Sequence, residues 1–173
     1  MVSEEARAIG FKNFEKKDSN GSAVTGETGI VLNTNGKTGV TLAFNNCIFD
    51  GNKSTKAGAL YINNGTVVSL TNCLFKENQA ENQGGAIHII ASNVTMTGCT
   101  FYKNKTTSAT AAQGGGALFV TGATAVVNAY NCTFFQNTTG LTNQDYGVIR
   151  TDSGTTKIYN SLFYDNKLNS NVS

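Results

Sequence analysis

Four cysteines, a single histidine and eleven carboxylates are the side chains here with chemistry to offer. Cys47, Cys73, Cys99 and Cys132 make an even set, a pattern that in general suggests disulfides or a zinc site. His88 is the one imidazole available as a general base. The acids Asp18, Glu27, Asp50, Glu77, Glu81, Asp145 and Asp165 are scattered, and Asp152 stands near Arg150. Hydrolysing a polysaccharide takes two carboxylates flanking one bond, and a calcium-dependent lyase needs an acidic cluster. Thirteen basic residues against eleven acidic ones leave +2 with no polybasic tract. Nucleic-acid binding therefore has no electrostatic footprint. No run of about 18 apolar residues is present, so direct membrane insertion of a helix is not expected.

Spacing decides which of these readings survives. Two residues after each cysteine, and after Ser161, stand Phe49, Phe75, Phe101, Phe134 and Phe163, at gaps of 26, 26, 33 and 29 residues. Three residues further on come Asn52, Asn78, Asn104, Asn137 and Asn166. A second phrase recurs as Ala57-Gly58-Ala59-Leu60, Gly84-Gly85-Ala86-Ile87, Gly115-Gly116-Ala117-Leu118 and Tyr146-Gly147-Val148-Ile149. A degenerate earlier copy is read at Phe14 and Gly21-Ser22-Ala23-Val24. Between the phrases, alternating pieces share Val68, Val94, Val127 and Thr156 at one position and Leu70, Met96, Ala129 and Ile158 two residues later.

Period two with one apolar side is a half-buried strand, and no 3.6-residue period competes with it. Strand-only repeats of this length stack as a solenoid. The expected fold is all-β, a right-handed parallel β-helix of about five to six turns with three short strands each. Residues 1–13 are expected to cap it upstream, 14–166 to form the repeats and 167–173 to leave the downstream end open. The opening MVSEEARAIG lacks the basic start and apolar stretch of a signal peptide, so either the protein is not secreted by that route or this is a mature segment, and the chain is expected to be a single β-helix segment of a longer protein.

Equivalent residues of successive turns would lie about 4.8 Å apart. The five phenylalanines then form an interior column, each buried ring contributing roughly 1.5–3 kcal/mol. Asn46, Asn72, Gly98, Asn131 and Asn160 precede the cysteine position. Asn and Gly share a tolerance of positive φ, so a left-handed corner is expected there. The Asn of Phe-x-x-Asn is expected to turn inward at the next corner and bond its counterparts above and below. The small pair before Leu or Ile admits close backbone approach. Cysteine Cβ atoms stacked about 4.8 Å apart exceed the roughly 3.8 Å a disulfide prefers. A straight column cannot wrap a metal tetrahedrally either. Four reduced, buried thiols are expected, with no metal and no cofactor.

The two phrases together resemble the Phe-x-x-Asn and Gly-Gly-Ala-[Ile/Leu/Val] repeats of chlamydial polymorphic outer membrane proteins and related adhesin-like proteins. The resemblance runs from Phe14 to Asn166, nearly the whole chain. It implies an autotransporter-like passenger, extracellular or at the cell surface, with a right-handed parallel β-helix and a role in cell adhesion.

Function on such a rod belongs to corners and outward side chains. The loops 53–56, 79–83, 105–114 and 138–145 share one corner, the last two being longest. With Leu60, Ile87, Leu118 and Ile149 inward, Tyr61, His88, Phe119 and Arg150 are expected to form one exposed stripe, with Thr25 at its upstream end. Aromatic, imidazole and guanidinium groups in a row suit a sugar or a protein hot spot. Catalysis there is not expected, because the positions matching Asp152 are Asn63, Ile90 and Thr121, which supply no second acid. Outward Thr71 and Thr97 give way to Tyr130 and Tyr159, so no long threonine plane for ice persists. The expected function is a non-catalytic adhesin or passenger segment binding a host-surface protein or glycan, with end-to-end self-association through strand edges. The alternatives are a polysaccharide-active β-helix enzyme or phage tail-type depolymerase, and a purely structural stalk.

Overall fold

The computed structural model describes residues 2–7, 10–12, 32–33, 39–63, 65–108, 114–140 and 147–168. The strands are short and every pairing between them is parallel. They fall into four sheets, two of six strands and two of five, that run the length of a coil. The long-strand sheet holds Val2–Arg7, Val40–Asn45, Val67–Thr71, Asn93–Thr97, Val126–Tyr130 and Thr155–Tyr159. The Phe sheet holds Gly10–Lys12, Ile48–Asp50, Leu74–Lys76, Thr100–Tyr102, Thr133–Phe135 and Leu162–Tyr164. The corner sheet is Lys53–Lys56, Gln79–Gln83, Lys105–Thr106, Thr138–Thr139 and Lys167–Leu168. The stripe sheet is Leu32–Asn33, Leu60–Ile62, Ile87–Ile90, Leu118–Thr121 and Ile149–Thr151.

A parallel β-helix is therefore present, with about four complete turns and a partial one at each end instead of five to six. It has four strands per turn where three were expected. The fourth comes from the segments read as corner loops. They are polar and do not alternate, yet each is held in register by its neighbour: Gln79 N–H donates to Asn52 O at 2.8 Å and Lys105 N–H to Asn78 O at 2.9 Å. The upstream copy is also corrected. Phe11, not Phe14, pairs with Phe49, and Leu32 pairs with Leu60. Phe14 and the residues 21–25 lie outside the described residues.

The interior is built as the repeat demands. Phe49, Phe75, Phe101, Phe134 and Phe163 stack with centroid separations of 4.4, 4.9, 4.8 and 4.7 Å and nearly parallel planes. Asn46, Asn72, Gly98, Asn131 and Asn160 all have positive φ, between 46° and 63°. Left-handed backbone recurs at Gly51, Glu77, Lys103, Gln136 and Asp165, just before each ladder asparagine. That second corner is carried by five residue types and leaves no compositional trace. The small pair allows the close approach expected of it: a Cβ added at Gly85 would run into the carbonyl oxygen of Gly116.

The asparagines form a continuous amide ladder. Asn78 Nδ2 donates both to Phe49 O, 2.9 Å away, and to Asn104 Oδ1, 2.9 Å away. Asn104 Nδ2 does the same with Phe75 O at 2.9 Å and Asn137 Oδ1 at 3.0 Å. The spacing in Phe-x-x-Asn thus has a direct cause: each asparagine satisfies the carbonyl of the phenylalanine one turn upstream.

All four cysteines are buried and none is in a disulfide. Cys73 Sγ donates to Phe44 O at 3.3 Å and Cys99 Sγ to Leu70 O at 3.4 Å, both one turn upstream. Hydrogen bonding of the Cys99 S–H towards the sulfurs of Cys132 and Cys73, and then burial, hold the Cys99 thiol well above its ordinary pKa. Ser161 stands in for a fifth thiol, accepting from Cys132 N–H at 3.0 Å. Cys99→Ser is accordingly expected to lose only about 1–2 kcal/mol, the difference between burying sulfur and burying a hydroxyl that still finds a carbonyl. Urea unfolding measures it, and an unchanged midpoint would place the side chain outside the core.

Candidate functional site

The stripe sheet does line up the four residues singled out by the repeat. Tyr61 pairs with His88, His88 with Phe119, and Phe119 with Arg150. Asn33, not Thr25, occupies the register position upstream of Tyr61. The rings meet edge to face, Tyr61 and His88 at 5.2 Å and His88 and Phe119 at 4.9 Å. The Arg150 guanidinium lies over Phe119 at 5.4 Å and its Nε donates to Asp152 Oδ1 at 2.6 Å.

The expected exposure is overturned. Tyr61, His88 and Phe119 are 6%, 2% and 1% exposed, and the Arg150 side chain is largely covered. Alternation fixes the side of the sheet from which a side chain leaves, and says nothing of what lies over that side. His88 has neither ring nitrogen hydrogen-bonded. Burial, and secondarily the charge of Lys56, push its pKa down to about 3. A neutral imidazole without solvent access is neither a working base nor a contact surface. The row is an outer packing layer.

Aromatic rows at outward positions lie on the other two large faces, half-buried at Tyr102 and Phe135 and exposed at Tyr130, Tyr159 and Tyr164. In the Phe sheet the residue after each marker is Asp50, Lys76, Tyr102, Phe135 or Tyr164. Tyr102 and Phe135 stack at 5.3 Å, and Phe135 and Tyr164 at 5.4 Å. Lys103 Nζ sits 4.9 Å from the Tyr102 ring centroid. On the long-strand sheet Tyr130 and Tyr159 stack at 5.0 Å, both exposed. The Tyr102 row was detectable as a fixed offset from the marker phenylalanine, but Asp50 and Lys76 at its upstream end disguise it.

A family model described as "Right handed beta helix region" matches residues 28–172. The chain belongs to the right-handed β-helix family. No curated protein and no solved structure matches it.

The carboxylates of this β-helix that lie near its outer rows are held in ion pairs. Asp50 pairs with Lys76 at 3.1 Å, Asp152 with Arg150 at 2.6 Å and Asp165 with Lys167 at 3.3 Å. Hydrogen bonds from Gln136 and Lys167 lower the Asp165 pKa. No group of three or more His, Cys, Asp or Glu suited to a metal ion occurs among the described residues. The long corner segments 109–113 and 141–146 lie outside those residues. What the described surface offers is rows of aromatic edge, phenol hydroxyl and lysine.

Proposed function

We propose that this β-helix is a non-catalytic rod, an adhesin or passenger segment at a cell surface, that binds a host-surface protein through its outward aromatic rows. The observation that carries the reading is the pair of rows Tyr102–Phe135–Tyr164 and Tyr130–Tyr159, two turns or more of aromatic side chain at outward positions. Contiguous exposed aromatic surface marks interaction sites, and tyrosine is prominent among residues that dominate binding energy. Ring orientation favours protein over glycan. A sugar stacks on a ring face, whereas rings within these rows cover each other's faces and present their edges. The repeat phrases that resemble those of chlamydial polymorphic outer membrane proteins support a surface location and adhesion. The ion-paired state of Asp50, Asp152 and Asp165 gives a catalytic reading little to draw on.

Binding of labelled protein to intact animal cells, before and after trypsin treatment, tests this. Native protein is expected to bind in a trypsin-sensitive way, and the chain with Tyr130→Ser and Phe135→Ser to bind about tenfold or more weakly at unchanged melting temperature. Unchanged binding by that variant overturns the assignment of the rows. Absence of any binding favours the stalk reading, which the uninterrupted Phe and Asn columns also suit. Release of reducing ends or unsaturated sugars from a polysaccharide favours the enzyme.

A further inference from the structure

We infer that the cysteine column is a metal site, in which a soft monovalent cation of the copper(I) or silver(I) class binds between thiols of adjacent turns, one sulfur on either side. The inference goes beyond the adhesive reading and does not rest on it. Cys47, Cys73, Cys99 and Cys132 follow one another in register: Leu74 N–H donates to Cys47 O, Thr100 N–H to Cys73 O and Thr133 N–H to Cys99 O, each at 2.9 Å. The phenylalanines two residues on keep the same register, their rings 4.4, 4.9 and 4.8 Å apart. Each cysteine therefore has the next one about 4.8 Å away along the coil. The Cys99 S–H is directed towards the sulfurs of both neighbours. All four side chains are 0% or 1% exposed.

That spacing selects the ligand. A disulfide needs Cβ atoms about 3.8 Å apart and sulfurs about 2 Å apart, so neighbouring thiols stand too far off to join. Zinc asks for four ligands around one point, which a straight column cannot supply. Two metal–sulfur bonds of about 2.3 Å set end to end span about 4.6 Å, close to one strand spacing. The column thus fits an ion that is content with two ligands in line, and sulfur is the ligand that copper(I) favours. The surroundings agree. These cysteines belong to the apolar core, where a hard cation that keeps its waters has no place. Charge balance sets the valence. The cation displaces one S–H proton, which leaves to water, so thiolate, thiol and monovalent ion together stay neutral in a core that tolerates no net charge. No electron is transferred.

Four thiols in a line hold two such ions without sharing a sulfur, one between Cys47 and Cys73 and one between Cys99 and Cys132. What binding gives up is weak: a thiol is a poor donor, and Cys73 Sγ reaches Phe44 O at 3.3 Å. Entry needs only a local opening. Asn46, Asn72 and Asn131, exposed at the left-handed corner, each directly precede a cysteine of the column.

Native mass spectrometry of the chain after overnight exposure to silver(I) nitrate in chloride-free buffer tests this. The chain carries four cysteines, and it is expected to retain two silver ions, each with loss of one proton. Its β-rich circular dichroism spectrum should be unchanged and its melting temperature raised. Zinc(II) offered in the same way is expected not to be retained. Two double variants with equal numbers of thiols isolate adjacency. Cys47→Ser with Cys132→Ser keeps the neighbours Cys73 and Cys99 and is expected to hold one ion. Cys73→Ser with Cys132→Ser leaves Cys47 and Cys99 two turns apart and is expected to hold none. Where a double variant does not fold, Cys99→Ser alone reads the same dependence, by holding one ion instead of two. A native chain that stays folded and retains no silver overturns the inference. So does uptake only with loss of the β spectrum, since the ion is then bound by unfolded thiols. Equal uptake by the two double variants overturns it as well, because single sulfurs then suffice.

Discussion

An Asn104→Ala chain is expected to lose roughly 3–6 kcal/mol of folding stability, far more than truncating a small polar side chain ordinarily costs. The size follows from what the amide leaves behind. Asn104 Oδ1 accepts from Asn78 N–H at 3.1 Å and Asn78 Nδ2 at 2.9 Å, and Asn104 Nδ2 donates to Phe75 O at 2.9 Å. Removing it strands two donors and an acceptor at a site with no exposed surface, and each buried unsatisfied group costs about 1–3 kcal/mol. The gap left by the truncated side chain adds to the loss.

The same substitution at the downstream end behaves differently. Asn166 is only half-buried, so water reaches the groups it bonds in Asn137 and Phe134, and Asn166→Ala is expected to cost about 1–2 kcal/mol. Denaturant titration of both variants reads the gradient. Equal losses at the two positions would mean that the amides act as corner spacers, not as a ladder whose worth depends on burial.

That ladder also explains why some of the fold was legible in the sequence and some was not. Wherever geometry forces one residue type, the repeat announces it. Phenylalanine must stack on phenylalanine, the Asn46-type corner needs a left-handed residue, and Gly85 lies against a carbonyl of the next turn. The corner sheet escaped because backbone register holds it: strands such as Lys105–Thr106 and Thr138–Thr139 bury too little to show a pattern. The upstream copy was misplaced because Phe11 and Phe14 both suit the marker position, and only pairing with Phe49 separates them.

The candidate site was legible as a row and misread as a surface. The register of Tyr61, His88, Phe119 and Arg150 followed from alternation. Their burial depends on what covers the sheet, which no period within the strand encodes. The outward Tyr102–Phe135–Tyr164 row, half-buried until Tyr164, had the reverse fate, since its two upstream members are charged and the offset was not followed past them.

Burial of His88 makes acid the weak point of this molecule. Its imidazole is enclosed between Tyr61 and Phe119 with both nitrogens unpartnered, and its folded pKa is pushed from 6.5 down to about 3. Below pH 6.5 the unfolded chain takes up a proton at this residue that the folded chain refuses. Stability therefore falls as pH drops from 6.5 towards 3 and is regained as pH rises. Each pH unit inside that window removes about 1.4 kcal/mol, so the loss at pH 4.5 is about 3 kcal/mol relative to neutral pH. With one histidine in the chain, no other imidazole shares the slope, and carboxylate titration is confined to the acidic half of the window. His88→Leu is expected to flatten the profile between pH 6.5 and 5. It should also raise stability at neutral pH by about 1–3 kcal/mol, since two buried nitrogens without partners are exchanged for apolar volume. Urea midpoints measured across pH for the two chains give both quantities. An imidazole resonance titrating near pH 6.5 in the folded protein, or identical slopes for the two chains, would show that water reaches His88 and that the row is open after all.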